Sequence, residues 1–264
     1  MKKSFTTEAI NLKNYPLNDN DSIVVMFSKT KGLIRAVAKG AKKPKSKLGA
    51  RIQLFVANQL MLFEGKNLDT IAQAQSVNTF SKIRNSLDKL SYSMYIAQLV
   101  DTFCSKQFNT DENYEEIYSL IFLAYQKIAA STSKKDILFA ILKFQIKFMS
   151  YLGWGLDLTH CSRCLREIEA DSNNSALFSF DLKGFLCPQC TSSCLGDTIR
   201  IHNKIRVFLQ ELSTADFDKK TKYDEILTEQ FLNKCFSFMK KYIDKLTSKR
   251  TKIFEILDKT TIAI

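Results

Sequence analysis

Gly32-Leu33-Ile34-Arg35-Ala36-Val37-Ala38-Lys39-Gly40-Ala41-Lys42-Lys43-Pro44-Lys45-Ser46-Lys47-Leu48-Gly49 changes character midway. Leu33 to Ala38 is a short apolar run suited to a β-strand. From Lys42 to Lys47, four of six positions are lysine, with Arg35 and Lys39 before them and Arg51 after. Pro44 and the flanking Gly40 and Gly49 hold such a segment out of a sheet, leaving its ammonium groups in water.

Similar short runs lie on both sides of this stretch. Ile23 to Phe27, Ile52 to Val56 continued by Leu60 to Phe63, and Leu68 to Val77 read as strands, with an opening strand around Thr7 to Leu12. Turn residues separate them at Pro16 to Asp21, Lys31-Gly32, Gly40 to Gly49 and Glu64 to Asn67. Five or six strands in 80 residues predict a small closed or nearly closed barrel. The OB-fold is the commonest five-stranded candidate, and an SH3-like barrel fits the same pattern.

The whole chain has 264 residues and a formal charge of +12, with 39 Lys+Arg against 27 Asp+Glu. The excess is uneven. Residues 1–80 hold 13 basic and 5 acidic side chains, a net +8, whereas residues 151–199 hold 3 and 6, a net −3. A concentrated positive charge points to a polyanionic partner. A lysine run alone fits a solvated loop equally well, but on a +8 barrel it favours contact with phosphates. Phe27, Phe55 and Phe63 are candidates to stack bases, although aromatics at strand positions usually serve the core.

Beyond residue 80 the apolar period becomes helical. Ile83, Leu87, Leu90, Met94, Ala97, Val100 and Phe103 form one stripe, with Ser81 as its expected N-cap. Tyr114 to Ile128 and Ile137 to Leu152 form two more, the latter entered from Ser131-Thr132-Ser133. After 200, Ile205 to Leu212 and Ile226 to Leu246 suggest another two. Lys234, Lys241 and Lys245, with Lys249, Arg250 and Lys252 beyond, are expected along the polar face of the last.

Cys161-Ser162-Arg163-Cys164 and Cys187-Pro188-Gln189-Cys190 are two C-x-x-C knuckles joined by a segment that reads as a hairpin. Each knuckle places two thiolates on one side of the chain, so the pair suits a tetrahedral site for one structural zinc ion, with redox-active pairs or incidental thiols as the competing readings. Four thiolates leave no open position for a reacting water, so catalysis at this metal is not expected. Cys194 and His160 are weaker ligand candidates, and Cys104 and Cys235 lie on apolar helical stripes.

The remaining chemistry is sparse. There is no G-x-x-x-x-G-K-[ST] phosphate loop, and two histidines offer little material for a triad. Asp111-Glu112 and Glu115-Glu116 read as a helix start rather than a nuclease cluster. The expectation is a protein that is not an enzyme. Seven cysteines, an odd number, disfavour a paired disulfide framework, and Ser4 to Glu8 provide no apolar run after Met1-Lys2-Lys3. No membrane association and a cytoplasmic, nucleoid-associated location are expected.

These parts, in this order, resemble the RecO recombination and repair mediators of the bacterial RecF pathway. Gly32 to Ser46 is similar to the family's hydrophobic strand followed by a K-G-x-[RK]-[RK]-P-K-S loop, and Asp21-Ser22-Ile23-Val24 to the preceding strand start. Leu152-Gly153-Trp154-Gly155-Leu156-Asp157-Leu158, running into the first knuckle, resembles its L-G-Y-x-P-x-L passage, with Gly155 and Leu156 departing from the common Ala and Pro. Phe178-Ser179 and Gly184 to Cys190 resemble the passage that closes its zinc module. The resemblance covers residues 1 to about 195.

It implies an α+β chain of four parts. These are an OB-fold nucleic-acid-binding domain over 1–80, a first helical part over 81–158, a four-cysteine zinc module over 159–197, and a C-terminal helical part over 198–264. It further implies binding of single- and double-stranded DNA and annealing of complementary strands. Partners would be RecR and single-stranded-DNA-binding protein, with RecA loaded indirectly. Carried over residue by residue, Arg35, Lys39, Lys42, Lys43, Lys45, Lys47 and Arg51 would contact DNA, and Cys161, Cys164, Cys187 and Cys190 would hold zinc. The competing expectation from the same parts is a zinc-ribbon RNA-binding factor in rRNA processing or translation.

Overall fold

A computed structural model describes residues 3–105, 113–169, 175–216 and 227–247. The chain divides into two compact units between Thr132 and Ser133, so the helices expected over 81–158 are shared between them.

The first unit is built on a closed barrel. Its strands are β1 (Ser4–Pro16), β2 (Ser22–Ser28), β3 (Gly32–Ala38), β4 (Ala57–Phe63) and β5 (Asp69–Asn78), in the spatial order β1-β2-β3-β5-β4. The closing pair, β4 against β1, is antiparallel from Ser4↔Phe63 to Ile10↔Ala57. Only β3 with β5 is parallel, through Ala36↔Asp69 and Val37↔Thr70. That order and that single parallel pair make the barrel an OB-fold, and exclude simple up-and-down closure. Small inward residues let so few strands close: Ala9, Ala36 and Ala38 share the interior with Val24, Met26, Leu60 and Leu62.

Helices α2 (Leu87–Phe103) and α3 (Tyr114–Ala130) complete this unit. Edge-to-face rings join α3 to the segments flanking the barrel strands, Tyr125 with Phe55 at 5.2 Å and Phe122 with Phe80 at 5.1 Å. Phe27, packed edge-on to Tyr114, and Phe55 are fully buried and are unavailable for stacking bases.

Two sequence expectations change here, and a third falls outside the described residues. Ile52 to Val56 is not a strand: a short helix, α1 (Lys47–Arg51), precedes it, and Phe55 takes φ 70°. This segment plugs the barrel's end, where Asn11 donates to the Arg51 and Gln53 carbonyls at 2.7 and 2.9 Å. Apolar character reported its burial correctly but not its conformation. Ser81 opens only a single 3-10 turn, Ser81–Ile83, and α2 begins at Leu87 after Ser86. Asp111 and Glu112 lie outside the described residues.

The second unit starts with α4 (Lys134–Tyr151), entered through a reciprocal cap. Ser133 Oγ accepts from the Asp136 N–H at 3.2 Å, while Asp136 accepts from the Ser133 N–H at 2.9 Å. A three-stranded sheet follows, ordered β7 (Gly184–Leu186), β6 (Ser175–Ser179), β8 (Thr198–His202). Between β7 and β8 lies α5 (Pro188–Thr191), and α6 (Asn203–Thr214) and α7 (Glu229–Leu246) pack on α4. Phe178 centres this unit, its ring edge-on to Phe185 at 5.0 Å and to Phe238 at 5.2 Å. Ile226, Lys249, Arg250 and Lys252 lie outside the described residues. Among those described, no helix is long and apolar enough to cross a membrane.

Candidate nucleic-acid interface and metal centre

The lysine stretch leaves β3 at Lys39 and returns to the barrel through α1. Lys39, Lys42, Lys43, Lys45 and Lys47 are all exposed, and Arg51 is half-buried. Among the described residues, none of these five lysines has an ion pair within 4.0 Å; Lys42 Nζ donates instead to the Asn18 carbonyl at 2.8 Å. Their charges are therefore available to an incoming polyanion.

Arg35 sits apart from them. Its guanidinium lies 3.6 Å from Asp101 on α2, a carboxylate that also takes the Lys13 ammonium at 2.5 Å. Part of its charge is already engaged within the unit.

The loop is fastened at both ends. At its start, Asp21 accepts from the Gly40 N–H at 2.7 Å, and the Lys42 N–H donates to the Asn20 carbonyl at 2.9 Å. At its end, the Arg51 carbonyl accepts from Asn11 and Asn58 side chains at 2.7 and 2.9 Å. Between them, α1 crosses the loop so closely that a Cβ on Gly49 would stand 2.6 Å from the Ala41 carbonyl oxygen. The Gly40 bond and Asn18, with further help from Lys39 and Lys43, hold the Asp21 carboxyl below its ordinary range.

The second site gathers Cys161, Cys164, Cys187 and Cys190, whose sulfur atoms all lie within 4.8 Å of one another. The sulfur atoms of Cys164 and Cys187 stand 3.6 Å apart. Cys161 and Cys187 are buried, while Cys164 and Cys190 reach the surface. The first knuckle is turned by Cys161 N–H donating to the Arg166 carbonyl and Leu165 N–H to the Cys161 carbonyl, each at 2.8 Å. Ser162 N–H then donates to the Phe185 carbonyl at 2.8 Å, tying the two knuckles together. Gly184 permits that approach, because a Cβ there would fall 1.7 Å from Ser162 Oγ.

Without a metal the thiols compete for protons. Burial disfavours the Cys161 thiolate, but N–H groups of Cys187, Cys164 and Arg163 outweigh it and bring the pKa down to about 6. Cys190 is pushed up to about 12 by burial and by its neighbouring sulfurs. A bound cation removes this conflict, so the arrangement suits one metal ion. His160 stands outside the cluster, with Nδ1 beside Thr159 and Asp157. Cys194 packs alongside, its thiol directed to the Leu195 carbonyl at 3.8 Å.

Sequence reading missed one further group, Arg206 on α6. Its guanidinium is buried and bonds Asn203, the Leu158 carbonyl, and the Ile168 and Glu169 carbonyls at 3.1 and 2.8 Å. It thereby grips the chain on both sides of the first knuckle. Nothing in its helical stripe marks it, since it occupies a position next to Ile205.

Comparison with known proteins agrees with this organisation. Residues 1–80 match the family described as recombination protein O N terminal, and residues 84–252 match recombination protein O C terminal. The chain is 29% identical over 259 residues to the DNA repair protein RecO of Desulforamulus reducens, covering 97% of this chain and 95% of that protein. It is 29% identical over 253 residues to the DNA repair protein RecO of Symbiobacterium thermophilum, covering 94% of each. It is 33% identical over 186 residues to the DNA repair protein RecO of Alkaliphilus metalliredigens, covering 70% of this chain and 71% of that protein. The barrel, the helices and the cysteine module thus fall within two adjoining matches of one kind, and the chain belongs to the recombination protein O family.

Proposed function

We propose that this chain is a DNA repair and recombination mediator. It binds single- and double-stranded DNA, anneals complementary strands, and acts with RecR to load RecA on strands coated by single-stranded-DNA-binding protein. The observation that carries this reading is the exposed lysine loop, fastened at both ends to an OB-fold barrel. A loop that contacts phosphates leaves the bases free to pair, and its charge offsets repulsion between two strands. Such a mediator works by binding and needs no catalytic group. The relatives' names favour DNA repair over the rival reading in RNA processing.

The metal fits as zinc in a structural role. Four sulfurs at about 2.3 Å from a tetrahedral Zn²⁺ stand about 3.8 Å apart. The observed 3.6 Å pair and the 4.8 Å limit lie close to that spacing. Cys161, Cys164, Cys187 and Cys190 would hold the ion, which would supply folding free energy to the module.

The test is annealing of oligonucleotides coated with single-stranded-DNA-binding protein, alongside affinity for single strands against salt. Replacing Lys42, Lys43, Lys45 and Lys47 together by Ala is expected to lower annealing and to flatten the log–log salt slope by roughly 3. An unchanged slope would sink the assignment of these lysines.

A further inference from the structure

The turn between β1 and β2 is short, polar and highly bonded. Asn18 Oδ1 accepts from the N–H groups of Asn20 and Asp21 at 2.9 and 2.8 Å, and the Leu17 N–H donates to the Asp21 carbonyl at 3.1 Å. The turn is thus rigid before it touches anything else.

Among the described residues, its outward hydrogen bonds reach the lysine loop. Asp21 Oδ1 takes the Gly40 N–H at 2.7 Å, the Asn20 carbonyl takes the Lys42 N–H at 2.9 Å, and the Asn18 carbonyl takes Lys42 Nζ at 2.8 Å. The second Asp21 oxygen is occupied by Asn18 Nδ2 at 3.0 Å. Together Asn18, Asp21, Lys39, Gly40 and Lys43 line a shallow groove on the barrel rim.

An acidic residue inside a cluster meant for phosphates is electrostatically wrong by position alone. Charge bookkeeping assigns Asp21 an inhibitory effect: removing it should strengthen binding to DNA. The bonding argues the opposite.

We propose that Asp21 is a positioning residue for the DNA-binding loop, an acidic brace whose hydrogen bond to Gly40 outweighs its repulsion of phosphate. The inference rests on the function proposed above. The brace holds the loop's first turn, Lys43 N–H to the Gly40 carbonyl and Ser46 N–H to the Lys43 carbonyl, before any strand arrives. Pre-ordering removes a cost that binding otherwise has to meet.

Two variants with the same net charge separate the brace from the charge. Asp21→Asn removes the charge but keeps an oxygen for the Gly40 N–H; Asp21→Ala removes both. Trypsin reads the loop directly, by cleavage after Lys42, Lys45 and Lys47 in the full-length protein. Asp21→Ala is expected to be cut there roughly threefold to tenfold faster than Asp21→Asn, the range for one neutral hydrogen bond at a partly exposed site. It is also expected to bind a single-stranded oligonucleotide more weakly than Asp21→Asn by a similar factor.

Equal cleavage and equal affinity in the two variants, or tighter binding by Asp21→Ala than by the native protein, overturns the proposal. If Asp21→Ala does not fold, Asn18→Ala, which leaves the net charge untouched, is expected to speed loop cleavage over the native protein; no change overturns the brace. The cleavage arm does not depend on DNA. Failure of the lysine variants to weaken DNA binding would therefore refute the proposed function separately.

Discussion

Replacing Arg206 by Met keeps most of its buried stem and removes the guanidinium. The side chain is 1% exposed, and among the described residues no carboxylate pairs with it. Its bonds go to neutral oxygens: Asn203 Oδ1 at 2.7 Å, the Leu158 carbonyl, and the Ile168 and Glu169 carbonyls at 3.1 and 2.8 Å. The last two lie near the surface and can recover water. The Leu158 carbonyl is buried, and left unsatisfied it costs about 1–3 kcal/mol, to which the lost bond to the buried Asn203 adds about 1 kcal/mol. The loss is offset in part because a desolvated cation also disappears. A net destabilisation of about 3 kcal/mol follows. For a unit of this size that lowers the melting temperature by roughly 10 °C or more.

The assay is calorimetry of the metal-loaded full-length protein, resolved into the transitions of its two units. The transition of the second unit should fall and that of the barrel unit should stay. Metal release to a chelator should speed up, because the two sides of the first knuckle lose their common anchor. Arg206→Lys keeps the charge, but one ammonium cannot span carbonyls from both sides of the knuckle, so it should recover less than half of the loss. A shift below about 3 °C for Arg206→Met would refute the magnitude reasoned here. Full recovery by Arg206→Lys would show that charge, not fork geometry, secures the knuckle.

Gly49→Ala should displace α1 from the loop, since its Cβ would meet the Ala41 carbonyl oxygen at 2.6 Å; the measurement is DNA affinity, expected to fall several-fold with all lysines intact. Gly184→Ala should force the knuckles apart at Ser162 and weaken metal binding at least tenfold in a chelator competition, an order-of-magnitude expectation for overpacking. Adding Ser162→Gly should restore binding, because the clash involves Ser162 Oγ and Cβ. Thiol labelling at pH 8 should find one fast cysteine in the metal-loaded protein, Cys194. Burial pushes the Cys104 thiol up to about 12 and the Cys235 thiol up as well, keeping both protonated. The same raised pKa sets a sign for stability. It is fully present below the ordinary thiol value of 9.0 and is lost as pH rises toward about 12, so unfolding monitored above pH 9 should become steadily easier.

Much of the architecture was legible in the chain because it depends on local pattern. Short apolar runs between turn residues marked β2, β3 and β5, and a helical period marked α3, α4 and α7 close to their observed limits. Ser133 was readable as a cap because a hydroxyl followed three residues later by Asp136 is a local signal. The run from Ile52 to Val56 misled for the complementary reason: it is apolar and buried, as a strand would be, but it plugs the barrel with Phe55 at φ 70°. Hydrophobicity records burial and is silent about backbone direction.

The sites divide along the same line. Cysteine spacing was sufficient to group Cys161, Cys164, Cys187 and Cys190, because each knuckle is a tight local turn and only one hairpin separates them. The lysine loop was visible by composition. Which of its charges stay free was not. Asp101 on α2 engages Arg35, Asp21 secures Gly40, and Arg206 on α6 secures the first knuckle. Sequence alone therefore determined the kinds of element, the grouping of the four cysteines and the place of the positive charge, all properties of neighbouring residues. Tertiary structure decided how the barrel closes, which cations remain unpaired and what holds each site rigid. Those depend on hydrogen-bond partners far apart in the chain, which become neighbours only when the barrel and the helices close around them.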